Sequence, residues 1–194
     1  MMKFLMVFLV LLVSSQDLLA QNISRDEVRQ LMESRDRQIK QLVGPEGTAH
    51  TDTQREQLKD IINGIIDYTA MARIALQSTY DEITPAQRTE FVALFSSIIR
   101  DQSLNNMDIY RAQVAYDGIT ISGNSAIVNT TATLKDVRTT VSYSIEKRGS
   151  SWFITDMAID NVSTAESYRR SFQNMIRRRG FDALLENLRR RADA

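Results

Sequence analysis

The residues of this chain that could do chemistry are few and poorly grouped. Its one histidine, His50, stands beside Thr51 and Asp52 in a stretch that reads as a loop. An imidazole beside a hydroxyl and a carboxylate is the raw material of a general base, yet a lone loop histidine is ordinarily a solvated surface residue. Asp156 and Asp160 offer the other pairing. By alternation they share a strand face with Trp152 and Ile154, and two carboxylates in a sheet-lined pocket can do acid–base work. Both stand near the strand's exit, where solvated carboxylates are common. The chain has no cysteine, which removes thiol nucleophiles, disulfides, a lipidated N-terminal cysteine and the usual zinc sites. No glycine-rich phosphate loop and no Gly-x-Ser-x-Gly elbow occurs. The expectation is a protein that is not an enzyme, with no catalytic residue, no metal and no cofactor.

Charge gives no partner either. Lys and Arg number 24 and Asp and Glu number 24, so the formal net charge is zero, and nothing points to nucleic acid. The distribution is uneven, with Arg169, Arg170, Arg177 to Arg179 and Arg189 to Arg191 near the C-terminus. The two triplets fit anionic headgroups or an acidic partner surface. The favoured reading is helix ends, where positive charge offsets the macrodipole, although both can hold.

The first residues read as an export signal. Met1, Met2 and Lys3 form a short basic start, Phe4 to Val13 an apolar run, and small and polar residues lead to Leu18-Leu19-Ala20. The run is well short of the roughly 20 residues that span a bilayer. Residues 1–20 are therefore expected to be a cleaved signal peptide, with a cut after Ser15 as the alternative. Residues 21–194 are expected to form one domain, exported to the periplasm and monomeric.

Within that domain helices come first. Ser24 and Glu27 predict a capping box with Ile23 and Val28 as a hydrophobic staple, and Val28, Leu31, Met32, Ile39, Leu42 and Val43 recur at helical spacing up to Gly44-Pro45. A second helix is expected near Thr53 and a third from Asp67 to about Leu76. Thr84-Pro85-Ala86-Gln87 is a strong start, with Phe91, Leu94, Phe95, Ile98 and Ile99 on one face. The period then changes to two. Val137, Thr139, Val141, Tyr143 and Ile145 alternate with polar residues, and runs around Gln113–Ile121, Ala126–Leu134 and Ser151–Ile159 complete a four-stranded antiparallel meander. Helix returns at Ser163 with Glu166, stops at Gly180, and a last helix follows Asp182. The fold class expected is α+β, an antiparallel four-stranded sheet packed against N- and C-terminal helices. The last strand carries Trp152 and Ile154 on one side and Phe153, Met157 and Ile159 on the other. For any single one of these residues a packed core is the ordinary reading, and the sequence alone does not separate a filled core from an apolar pocket.

Three segments carry a family resemblance. Tyr68-Thr69-Ala70-Met71-Ala72-Arg73-Ile74-Ala75-Leu76, followed by Ile83 to Arg88 and Phe91 to Phe95, resembles the central signature of the MlaC-type periplasmic phospholipid-binding family. This family belongs to the toluene-tolerance, or Mla lipid-asymmetry, pathway. Trp152 to Met157 with Asn161-Val162-Ser163, Tyr168-Arg169 and Phe172 resembles its strand-to-helix passage, and Arg179 to Leu184 its C-terminal motif. The segments stand in family order from about Ile62 to Leu188. One departure is clear: the family carries glycine after the Ala-Leu pair, where this chain has Gln77-Ser78.

The resemblance implies a sheet and helices around an apolar lipid cavity that takes the acyl chains of a phospholipid. It implies a carrier between an outer-membrane lipoprotein–porin complex and an inner-membrane ABC lipid transporter complex, maintaining outer-membrane lipid asymmetry. The residues expected to line that cavity are Met71, Ile74, Phe91, Phe95, Val141, Tyr143, Trp152, Ile154, Met157, Phe172 and Ile176. Competing expectations are another hydrophobic cargo (a quinone, a sterol-like molecule or a solvent), a pocket enzyme, and an adaptor with a solid core.

Overall fold

Where the hydrophobic period changes, the structure changes with it. The computed structural model describes residues 2–192, with side chains described from Gln21 onward except Ile23. The expected signal peptide and its cleavage point lie outside the residues whose side chains are described. Helices α1 (Met2–Val43), α2 (Asp52–Asn63), α3 (Tyr68–Leu76), α4 (Ser78–Glu82) and α5 (Pro85–Gln102) lead through a 3-10 turn at Met107–Arg111 to the strands. These are β1 (Gln113–Ser122), β2 (Ser125–Leu134), β3 (Val137–Arg148), β4 (Ser151–Ile159) and β5 (Val162–Ser163). Helices α6 (Thr164–Arg179) and α7 (Phe181–Ala192) close the chain. Among the described residues no helix is long and apolar enough to cross a membrane.

Helix starts follow side-chain chemistry. Thr84 and Gln87 form a reciprocal capping box with Pro85 in the first turn, and Asp67 caps α3 by accepting from the Ala70 amide. Three expected starts are corrected. The second helix is capped by Thr51 with Gln54, two residues before Thr53. Ser24 and Glu27 lie inside α1, which in the uncleaved chain runs on from Met2, so there the box has no free N-terminus to cap. Asp182 sits in the first turn of α7, where its carboxylate accepts from Gln87. Ser163 does cap α6, but Glu166 turns to Arg169 and does not complete the box.

The sheet has five antiparallel strands in the order β1-β2-β3-β4-β5, not four. Asp160 and Asn161 both take positive φ, 46° and 64°, and form a tight turn that folds Val162 and Ser163 back against β4. Asp and Asn tolerate that conformation better than most residues. Two residues are too short to show a period, so the fifth strand left no alternation in the sequence.

One residue in β4 corrects the expected strand faces. Ile154 pairs with Ile145 and Asp156 with Ser144, so Thr155 is an extra, unpaired residue, a β-bulge. The bulge reverses the alternation beyond it. Trp152, Ile154, Met157 and Ile159 therefore all stand opposite residues of one β3 face, namely Lys147, Ile145, Tyr143 and Val141. Asp156 is carried to the other face, away from Trp152 and Ile154.

The free edge of β4 ties the two halves together. Ile154 donates its amide to the Ile65 carbonyl (2.7 Å) and accepts from the Asp67 amide (2.8 Å). Beyond the bulge, Asp156 accepts from the Ser163 hydroxyl (2.5 Å) and the Ala165 amide (3.1 Å) at the start of α6. The bundle of α3, α5, α6 and α7 thus hangs from one sheet edge.

Gln77, between α3 and α4, has φ 51° and ψ −133°, a region that costs an L-residue about 1–3 kcal/mol and glycine little. The glycine of the family pattern at this point has a physical reason. Gln77→Gly is expected to raise stability by about 1 kcal/mol, read as a higher urea midpoint at unchanged slope; a lower midpoint contradicts the strain.

Candidate functional site

An ordinary domain buries one contiguous apolar core with small satellites. Here the buried residues fall into three clusters. The helical one joins Met71, Leu76, Phe91, Phe95, Phe172, Leu184 and Leu188. Its aromatic rings fill one another: Phe91 stacks on Phe95 at 5.6 Å and meets Phe172 edge-on at 5.6 Å, while Phe95 meets Tyr168 edge-on at 4.9 Å. Such geometry is the favoured packing of aromatic quadrupoles. The sheet cluster joins Val28 and Met32 of α1 to Ile119, Ile121, Val128, Ile145, Trp152 and Ile154. A third, at the far end of α1, joins Val43, Leu58 and Leu104. Ile66, half-buried, packs against both the helical and the sheet clusters.

The inner face of the sheet is covered unevenly. At its closed end α1 crosses it, pinned by Glu27, which accepts from Lys147 Nζ (2.7 Å) and from the Trp152 indole (3.1 Å). Those hydrogen bonds hold the Glu27 carboxyl below the usual range. Toward the other end Val114, Tyr116, Val141, Tyr143 and Met157 are only half-buried, and Ile159 and Val162 are 46% and 51% exposed. Tyr143 retains solvent access, yet burial pushes its hydroxyl up to about 12, with Asp36 adding to the shift.

The expected lining residues are thus sorted into two places. Met71, Phe91, Phe95 and Phe172 are buried in the helical cluster, with Ile74 and Ile176 partly buried against it. Trp152 and Ile154 are buried under α1, Tyr143 borders the same cluster, and Val141 and Met157 continue the inner face toward its open end. The structure does not bring the two sets together in one wall. Two depressions lie elsewhere. One, of ≈490 Å³, lies between Gly47-Thr48 and the Leu104–Arg111 segment. The other, of ≈240 Å³, is lined by Asn129, Thr140, Val141, Ser142 and Ala158, so Val141 alone of the expected set reaches either.

Several inner-face residues were missed in the sequence. Tyr116 belongs there because it pairs with Thr130, but a second bulge between Tyr116 and Gly118 breaks the period of β1. Gly118 inside an apolar run was the available signal. Arg111 was also missed: its guanidinium donates to the carbonyls of Val43, Gly44 and Pro45 and so caps the C-terminus of α1.

The polar candidates have structural partners. His50 Nε2 meets the Val43 carbonyl at 3.0 Å, so it is half-buried in its loop. Asp160 accepts from the amide (3.0 Å) and hydroxyl (3.2 Å) of Thr140. Asp156 holds the start of α6, so the two carboxylates do not meet in a pocket. No group of three or more His, Cys, Asp or Glu side chains is placed to hold a metal among the described residues. Arg177–Arg179 and Arg189–Arg191 end α6 and α7 as exposed residues. Arg189 forks onto Glu90 of α5, with Nε at 2.7 Å.

Comparison with known proteins supplies three findings. A profile of the MlaC protein family matches residues 26–190. No curated protein matches the chain. Among solved structures, the phospholipid-binding protein from Ralstonia solanacearum, in complex with a phospholipid, shares the fold with a TM-score of 0.72 at 21% identity. The match covers 87% of this chain and 96% of that one.

The division of the interior makes a stability prediction. Phe91→Ala, from a fully buried and ring-packed site, is expected to cost about 3–5 kcal/mol. Met157→Ala, on the half-covered inner face, is expected to cost about 1 kcal/mol. Urea denaturation of both variants checks this. Equal costs would mean that the inner face is as tightly filled as the helical bundle.

Proposed function

Because the chain belongs to the MlaC protein family, we propose that it binds phospholipid by its acyl chains and carries it through the periplasm. Residues 1–20 are the export signal, and residues 21–194 are the single working domain, acting as a monomer. The cargo passes between an outer-membrane lipoprotein–porin complex and an inner-membrane ABC transporter complex, which maintains outer-membrane lipid asymmetry. The protein works by binding and is not an enzyme.

The observation that carries this reading is the divided interior, with an apolar inner sheet face only half covered between two packed clusters. A two-chain phospholipid has about 30 methylenes, so exposing its tails to water costs on the order of 20 kcal/mol. A carrier has to shield those tails and then release them. Apolar walls offer the tails much what a bilayer does, so transfer stays near balance and the partner complexes set its direction. No reactive group is needed.

The cavity is proposed to open where the two clusters are joined only through half-buried residues such as Ile66. Val141, Tyr143, Trp152, Ile154 and Met157 form its sheet wall. Met71, Ile74, Phe91, Phe95, Phe172 and Ile176 form its helical side, mainly by holding the bundle that swings from the β4 edge. Sheet and bundle meet along that edge through a few backbone hydrogen bonds, and a seam of this kind opens at lower cost than a close-packed core.

The test is extraction of phospholipid from vesicles by the mature protein, followed by lipid analysis of the separated protein. Wild type is expected to leave with phospholipid in stoichiometric amount. Val141→Trp and Met157→Trp, which fill the sheet wall, are expected to carry several-fold less while keeping the wild-type circular dichroism. Undiminished lipid in both variants would rule out this wall, and capture of a quinone or other apolar molecule in preference to phospholipid would replace the cargo.

A further inference from the structure

We propose that Tyr116 and Tyr143 form a polar subsite on the inner sheet face that donates hydrogen bonds to the ester carbonyls of a bound diacyl lipid. The inference rests on the lipid-carrier reading and deepens it. Tyr116 pairs with Thr130 from one side of β2, and Tyr143 pairs with Val128 from the other. The two rings therefore flank the same short stretch of β2 on the same face. Both are half-buried and border the sheet cluster, just where the inner face loses its cover.

Their hydroxyls differ from those of Tyr68, Tyr110 and Tyr168, and their place on the inner sheet face sets them apart from Tyr80, whose hydroxyl also makes no hydrogen bond among the described residues. Tyr68 donates to Asn63 Oδ1, Tyr110 to the Ser103 carbonyl and Tyr168 to Gln102 Oε1, each at 2.8 Å. Tyr80 is held by its ring, beneath the guanidinium groups of Arg73 (4.3 Å) and Arg88 (5.5 Å). The hydroxyls of Tyr116 and Tyr143 make no hydrogen bond among the described residues, although burial raises the titration of both. Neither hydroxyl is a buried orphan, since both still reach solvent, so a ligand carbonyl placed before them can take over the bond that water makes there. Both stay protonated at any physiological pH, so they are available as donors.

The surroundings select the acceptor. Asp36 and Glu33 of α1 lie close enough to Tyr116 to disfavour its anion, Asp36 does the same for Tyr143, and Arg29 stands 6.0 Å from the Tyr116 ring. Asp36 is ion-paired with Lys40 (2.7 Å) and Glu33 with Arg29 (3.8 Å) and Arg37 (3.9 Å), so these cations are already committed and favour a phosphate little, whereas a neutral carbonyl needs only a donor. An ester group also sits at the junction of polar head and apolar tail, which matches a hydroxyl pair at the border of an apolar face. The phosphate itself then lies outward of the tyrosines.

The experiment is a native mass spectrometry competition between a diester phospholipid and the diether phospholipid of the same headgroup and chain length, which keeps the phosphate and lacks both carbonyls. Delipidated wild type is expected to prefer the diester by about five-fold or more, the net effect of one hydrogen bond. The Tyr116→Phe/Tyr143→Phe variant, which keeps both rings, is expected to bind the two lipids alike. Equal binding by wild type overturns the subsite without need of any variant. A diester preference that survives in the double variant overturns it too, as does equal weakening of both lipids, which would assign the hydroxyls to phosphate. Wild type that binds neither lipid removes the carrier reading itself.

Discussion

One unpaired residue in β4 governs how the rest of the molecule is joined. The bulge at Thr155, whose hydroxyl donates to the Ser144 carbonyl at 3.2 Å, turns the strand over halfway along its length. Before the bulge, Trp152 and Ile154 face α1 and close one end of the inner face. After it, Met157 and Ile159 stay on that same face, while Asp156 turns outward to receive the Ser163 hydroxyl and Ala165 amide. Were Thr155 instead paired in regular alternation, Asp156 would face the apolar interior and Met157 the outside, because a one-residue shift exchanges the faces of a strand. The same strand edge receives the Ile65–Asp67 segment. Sheet lining, α3 and α6 are thus all set by a few residues of β4.

That attachment explains why the interior is divided. The helical bundle packs on itself through its aromatic rings and touches the sheet mainly along an edge, so it does not lie across the whole inner face. Helix α1 covers only part of that face, because Glu27 fixes it over Trp152 and its far end is committed to Val43, Leu58 and Leu104. The remaining strip, from Tyr116 and Tyr143 to Met157 and Ile159, is apolar in its walls and carries hydroxyls at its border. A domain built only for stability would gain by covering this strip, since each buried methylene contributes about 0.8 kcal/mol. A lipid carrier gains by leaving it for the acyl chains.

Much of this was legible in the sequence and some was not, for identifiable reasons. Thr84-Pro85-Gln87, Asp67, Ser163 and Gly180 mark helix ends through local side-chain chemistry, and each does so in the structure. The strands from Gln113 to Ile159 were visible from their period. The bulges were not, because one extra residue leaves composition unchanged and only shifts the phase; Asp156 and Met157 were therefore assigned to the wrong faces. The fifth strand was too short to have a period, although Asp160-Asn161 carried the turn chemistry. The Ser24–Glu27 box has no helix end to cap while residues 1–20 are attached, since α1 then runs through it. Apolar type identified Phe91 and Met157 alike as lining residues. Only tertiary packing separates a ring enclosed by other rings from a side chain on a half-covered face.

The measurement that bears most directly on the account is native mass spectrometry of the mature protein, purified gently from the periplasm without added lipid, with organic extraction of what accompanies it. The account predicts a bound mass of one or two phospholipid molecules per chain and recovery of phospholipid in the extract. A protein that carries no bound mass, and whose extract holds no lipid, would contradict it.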